Sequence, residues 1–237
     1  LPTLDSTTRD RIVQAATDLI LENGYDGTTM RAIADRADVS LGSTYYYFSG
    51  KEDLVQGFYE SIAREHADLT RTRIEGERSF KKRLGTALDT YLEVSSRYRA
   101  VAESLVSMAV VPTSPLSPFS AESKPARETF IALYEDVIEG SDLKTDARLR
   151  AALPELLWLV QMIVTLGWVQ DLSEGGRVSR KIVGRLAPTL SRLIRAARIK
   201  PLAPLALDAV DALDAIKEAR QARVAGTEAG QAGGGAP

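Results

Sequence analysis

Apolar residues recur every three to four positions along almost the whole of this 237-residue chain, and no stretch alternates them convincingly. In an α-helix, residues three and four apart share a face, so this period predicts helices and leaves no room for a half-buried sheet. The stripes are Ile12, Ala16, Leu19 and Ile20; then Met30, Ile33, Ala34 and Ala37; then Phe80, Leu84, Leu88, Tyr91 and Leu92. Val101, Leu105, Met108 and Ala109 follow, then Phe130, Leu133, Tyr134, Val137 and Ile138, and last Ile182, Leu186, Leu190, Leu193 and Ile194. An all-α fold follows.

The breaks between stripes are chemically marked. Ser6 or Thr7 caps a first helix, and Gly24 suits its carboxy-terminal end because glycine accepts left-handed backbone. Thr28 and Thr29 offer caps for a second helix. Asp38 opens a turn, Ser40 caps a third helix ending near Tyr47, and Ser49-Gly50 separates it from a fourth starting at Lys51. Residues 111–125 hold Pro112, Pro115, Pro118 and Pro125 and cannot be regular helix. An eighth helix is predicted over residues 146–172, kinked or divided at Pro154. Its second half is apolar nearly all round, which predicts burial on most sides. Residues 173–177 form a loop, and Pro188 is a kink point in the ninth helix. A tenth helix is predicted over residues 205–224, followed by a disordered Gly/Ala-rich tail.

Composition narrows the chemistry. With no cysteine and one histidine, His66, the chain has no disulfide, no thiolate nucleophile and no His-rich zinc site. It also lacks metal-spaced carboxylates, a Gly-rich phosphate loop and a nucleophile elbow, so neither an enzyme nor a bound metal or cofactor is expected. At 44% hydrophobic and 26% charged it reads as a soluble protein. Residues 1–11 lack a secretory pattern, and the apolar run 156–169 is short and broken by Gln161. A cytoplasmic protein with no membrane partner is expected.

The segment from Thr29 to Tyr47 has the spacing of a helix-turn-helix. Small and apolar residues at Ala34, Ala37 and Val39 let two short helices cross closely, so that the second can enter a major groove. Charge runs the other way. Residues 1–55 carry five bases against nine acids, a net −4, so DNA binding has to rest on a local face rather than on a general field.

Thr28-Thr29-Met30-Arg31-Ala32-Ile33-Ala34, then the run from Val39 through Ser40-Leu41-Gly42-Ser43-Thr44-Tyr45-Tyr46-Tyr47 to Phe48, then Lys51-Glu52-Asp53-Leu54, closely resembles the TetR family over about residues 7–55. The resemblance implies three domains of the chain: a helix-turn-helix DNA-binding domain at 1–50, an all-helical regulatory and dimerisation domain at 51–225, and a tail at 226–237. It implies a sequence-specific transcriptional regulator, in particular a repressor released from its operator by a small, largely apolar ligand. An activator, or a partner-controlled regulator without such a ligand, would carry the same recognition helix.

Leu41, Gly42, Ser43 and Tyr46 then form the groove-facing set. Ser43 suits a base edge or phosphate, Gly42 permits close approach, and Leu41 suits a thymine methyl. Thr29, Tyr45, Tyr46 and Lys51 are placed for backbone phosphates and Arg31 for bases or backbone, whereas Ile33, Ala34, Val39, Tyr47 and Phe48 are expected to be core. The family also implies a ligand cavity within helices five to eight, with Tyr91, Tyr98, Met108, Phe130, Tyr134, Trp158, Gln161, Met162, Thr165 and Trp168 as candidates. Plain core packing fits each of these ten equally well. Helices eight and nine are implied as a homodimer interface; internal packing is the other reading of their stripes. A dimer would set two recognition helices about 34 Å apart on palindromic double-stranded DNA. His66, with Arg64, Glu65 and Asp68 as neighbours, reads as solvated, and so does the basic run Arg71, Arg73, Arg78, Lys81, Lys82 and Arg83.

Overall fold

A computed structural model describes residues 7–197, 208 and 210–215. Among them are nine α-helices and no strand: α1 Thr8–Gly27, α2 Met30–Arg36, α3 Leu41–Tyr47, α4 Lys51–Ile74, α5 Phe80–Ser96, α6 Arg99–Ala109, α7 Lys124–Glu139, α8 Ala147–Val169 and α9 Arg177–Ala196. Thr7 is the cap of α1. Its hydroxyl accepts from the Asp10 amide at 3.2 Å while the Asp10 carboxylate accepts from the Thr7 amide, a reciprocal capping box. At Gly24 (φ 72°) the helical path breaks, and the Thr28 hydroxyl closes the last turn on the Gly24 carbonyl at 2.8 Å. Thr29 and Ser40 cap α2 and α3, and Asp38 (φ 53°) makes the turn between them.

Around this start packs one continuous apolar core. α1 touches α2, α4 and α6; α4 packs on α5 and α7; α7 packs on α8, and α5 on α9. The long α4 belongs to both halves. Where it crosses α1, Gly57 allows close approach: a Cβ there would lie 2.9 Å from Val13 and 3.1 Å from the Phe48 ring.

Four expectations are corrected here. Pro154 does not divide α8, which runs through it without a break. The second half of α8 is not buried on most sides, since Ile163 is 70% exposed and Leu166 is exposed as well. In α9 the residues packed inward are Ser179, Val183, Ala187 and Ser191, whose small side chains let α5 approach, with Gly85 set against Ala187. The larger stripe lies outward in part, with Ile182 exposed and Leu193 62% exposed. Finally, α8 is long and apolar enough by length and composition to cross a membrane, although half of its most apolar window is buried in the core. Of the expected tenth helix only 208 and 210–215 are described. They are helical, with Val210 and Leu213 buried and Asp211 and Asp214 paired with Arg148. The rest of it, and the tail, lie outside the described residues.

Five residues of the basic run, Arg71, Arg73, Arg78, Lys81 and Lys82, are exposed as expected, and Arg83 is the exception. Arg83 is buried and donates to four main-chain carbonyls: Ile74 at the end of α4, Glu77 in the turn that follows it, and Asp136 and Val137 near the end of α7, at 2.6–3.0 Å. A cation is favourable at helix carboxy-termini, and this one serves two at once. Gly140 leaves room for it, since a Cβ there would run into the guanidinium. Arg71, Arg73 and Lys82 pair with Asp136, Glu93 and Glu77.

Candidate nucleic-acid interface and apolar cavity

α3 presents an uncharged, exposed surface. Leu41, Gly42, Tyr45 and Tyr46 are exposed, Tyr46 at 82%, and Ser43 is half-buried. Nothing but the Ser40 hydroxyl, at 3.8 Å, lies within 4 Å of a Cβ built on Gly42. Thr29 and Arg31 are exposed at the start of α2, and the Thr29 hydroxyl accepts from the Ala32 amide at 3.2 Å. Lys51 is tied inward: its Nζ donates to the Tyr25 carbonyl at 2.9 Å and lies 4.4 Å from the Tyr25 ring centre. One residue assigned to the core lies elsewhere. Tyr47 is 39% exposed and stands edge-on to Tyr46, while Thr44 is fully buried in its place. Ile33, Ala34 and Phe48 are buried, and Val39 packs half-buried against the core. Two of the acids behind the negative balance are occupied within the protein: Glu22 pairs with Arg36 at 2.7 Å and Asp10 caps α1.

The second feature is a cavity of about 1030 Å³. Tyr91, Tyr98, Phe130, Trp158, Met162, Thr165 and Trp168 line it, as the family resemblance implies. Three of the ten candidates do not. Met108 packs half-buried against the core without reaching the cavity. Tyr134 and Gln161 are fully buried behind the wall, where the Tyr134 hydroxyl donates to Gln161 Oε1 at 2.8 Å. Helical periodicity missed two other parts of the wall. Phe58, Tyr59 and Ile62 come from α4, and the Pro/Ser-rich segment between α6 and α7 contributes residues such as Pro112, Pro115 and Phe119. The α4 part was findable from the Phe58/Ile62 spacing; the proline segment carries no period to find.

That segment is fastened to α4. Gln56, buried one turn and a half into the helix, donates to the Pro115 carbonyl at 2.6 Å and accepts from the Ser123 hydroxyl at 3.0 Å, and the Tyr59 hydroxyl reaches the Leu116 carbonyl at 3.4 Å. α6 is fastened to α1 through the Ser104 hydroxyl, which accepts from the Tyr25 amide at 3.1 Å. The cavity wall therefore touches the helix-turn-helix half along two routes.

His66 is not solvated. It is fully buried on α4, flanked by the rings of Tyr91 (5.4 Å) and Phe130 (5.7 Å), and its Nε2 lies 2.8 Å from the Ala87 carbonyl. A carbonyl only accepts, so Nε2 carries the proton and Nδ1 is a bare acceptor. Burial pushes the imidazole pKa down to about 4, the Ala87 bond offsetting part of that, so the ring is neutral at neutral pH. Burial likewise raises the phenol pKa of Tyr59, Tyr91 and Tyr134.

Comparison with known proteins places both halves. Residues 12–57 match the family described as bacterial regulatory proteins, tetR family, and residues 83–212 match the tetracyclin repressor-like, C-terminal domain. A probable HTH-type transcriptional regulator of Bacillus subtilis, YttP, is 40% identical over 62 residues, 24% of this chain and 30% of that protein. The HTH-type transcriptional repressor KstR of Mycobacterium tuberculosis is 36% identical over 75 residues, 31% of this chain and 34% of that one. These matches thus span about a third of the relatives' lengths. Among solved structures, a TetR-family regulator from Syntrophomonas wolfei aligns with a TM-score of 0.60 at 19% identity, covering 78% of this chain and 94% of that one. FadR of Bacillus subtilis, solved in complex with stearoyl-CoA, aligns with a TM-score of 0.55 at 17% identity, covering 75% and 96%.

Proposed function

This chain belongs to the TetR family of transcriptional regulators, and on that premise we propose that it is a homodimeric repressor released from its operator by a small, largely apolar molecule. Thr29, Arg31, Leu41, Gly42, Ser43, Tyr45, Tyr46 and Lys51 form the DNA-binding face. Division of labour falls at residue 50, with the head before it and the regulatory body after. The exposed apolar residues of α8 and α9, Ile163, Leu166, Ile182 and Leu193 among them, support a two-fold interface there, which would bury them between copies and set two heads on a palindromic operator. Such a regulator works beside DNA in the cytoplasm.

The observation that carries the effector reading is the apolar cavity whose α4, α6 and proline-segment walls are hydrogen-bonded toward the head. A ligand that fits the cavity best with α4 displaced would favour a head separation that no longer matches DNA; binding can shift the equilibrium only by that difference in affinity. The stearoyl-CoA held by the FadR neighbour, with its long apolar chain, is in keeping with an apolar cavity.

A mobility-shift assay with the DNA upstream of the chain's own gene tests the first half. Retarded complexes are expected, weakened by Tyr46→Ala and by Lys51→Ala. Unaltered binding by both variants would refute the assigned face. Loss of the complex on adding an apolar ligand tests the second half, and a partner-controlled regulator would keep its complex.

A further inference from the structure

The polar atoms at and behind the cavity wall form one connected set. The Thr165 hydroxyl donates to the Gln161 carbonyl at 2.8 Å, so across the 2.7 Å contact between Thr165 and Tyr91 the phenol is the donor. Both hydroxyl hydrogens are thereby engaged, and the pair offers lone pairs to the cavity. Gln161 lies on the same stripe of α8 as Trp158 and Thr165. Its Oε1 accepts from Tyr134, and its Nε2 amide, fully buried, has no partner among the described residues. Nor has Nδ1 of His66, behind Tyr91 and Phe130. At the wall the Tyr91–Thr165 pair keeps unused acceptor capacity, whereas the Gln161 amide lies behind it. Buried polar groups with unmet capacity favour whatever completes them.

Charge is scarce in the same wall. Glu122 and Arg127 are its charged residues, and Arg127 donates to the carbonyls of Pro118 (2.8 Å) and Ser120 (3.0 Å) with its guanidinium 6.0 Å from the Trp158 ring. A carboxylate inside would meet one cation already bound to its own loop, and a poorly paired buried charge is strongly unfavourable.

We propose that the cavity takes an uncharged hydrophobe bearing a hydroxyl group, and that Tyr91 and Thr165 read that hydroxyl. A hydroxyl donates to the lone pairs of Tyr91 and Thr165. An ether only accepts; a carboxylate only accepts and adds a charge. This inference rests on the effector reading above and specifies its ligand class.

Both tryptophans of the chain, Trp158 and Trp168, line the cavity, so intrinsic fluorescence reports its occupancy. The test titrates the full-length protein at neutral pH with dodecanol, dodecyl methyl ether and dodecanoate, with operator release followed in parallel. Dodecanol is expected to bind roughly tenfold or more tightly than either of the others, since sites built around a hydrogen bond reject analogues that lack it. Tyr91→Phe and Thr165→Val should each reduce that advantage to less than about threefold. Thr165→Val keeps shape and half-buried position, so it serves if Tyr91→Phe does not fold. Equal binding of the ether or of dodecanoate, no fluorescence response to dodecanol, or an advantage that survives Thr165→Val would each overturn the proposal; equal binding of the ether would mean that ordered water already donates to the pair. If dodecanoate fills the cavity and frees the operator, the hydroxyl assignment fails and the effector reading stands. If dodecanol fills the cavity while the operator stays bound, the reverse holds.

Discussion

The seven residues of α3 are contiguous, uncharged and open to solvent apart from Thr44 and the half-buried Ser43. The cavity wall gathers residues from five helices and a loop, spread from Phe58 to Val169, and most of its side chains are covered. At the head, therefore, function sits in short-range sequence and costs the fold little. In the body, function and fold share the same side chains. Substitutions should separate the two regions by what they damage: operator affinity with stability intact in the first, stability in the second.

The largest expected contrast uses one residue type in both places. Arg83→Met leaves four carbonyls at or just after two helix ends without their donor and should destabilise the protein by about 3–5 kcal/mol in chemical denaturation. Arg36→Met, which breaks the exposed pair with Glu22, should leave the midpoint unmoved. Equal effects would dissolve the distinction.

Acid is the next probe. His66 has a folded pKa near 4 against an ordinary value of 6.5, so the unfolded chain takes up the proton first as pH falls. Its contribution is complete above pH 6.5 and is lost between 6.5 and about 4, up to about 3 kcal/mol in all. The carboxylates with depressed pKa, such as Asp142 and Glu93, lose theirs at lower pH. His66→Gln should flatten the slope of stability in that window; a slope that persists would place its source elsewhere.

At the head, Gly42→Leu meets open space in the free protein and should leave thermal stability unchanged. On DNA the added side chain intrudes where a groove must come close, and operator affinity should fall by roughly 1–3 kcal/mol in a binding titration. A loss of stability instead would show that α3 is less independent than its exposure suggests. The smallest effect is in salt. With Arg31 and Lys51 as the phosphate cations of each head, a dimer should show a slope of about −4 in log affinity against log salt. A much steeper slope would reveal cations outside the assigned face.

The same division explains what could be read in advance. Caps at Thr29 and Ser40, the Asp38 turn and the recognition helix are local events, decided by residues one to four positions apart, and the sequence states them openly. Tyr47 was misplaced because three adjacent tyrosines give no clue to which one the end of the helix turns outward. His66 and Arg83 were misplaced for a related reason. Their charged sequence neighbours project from other sides of the helix, and the groups that surround them, Ala87, Phe130 and Val137, lie 21 to 64 positions away. The proline segment stood out only as an interruption, since what makes it a wall is its attachment to Gln56 and Tyr59.

That attachment has a consequence for how such proteins diverge. A wall that is not a helix, held at its own main-chain carbonyls and one serine, can exchange its remaining side chains without repacking the bundle or touching α3. Copies of an ancestral gene can then come to sense different compounds while still answering at the same promoter, and the two specificities are free to drift at separate rates.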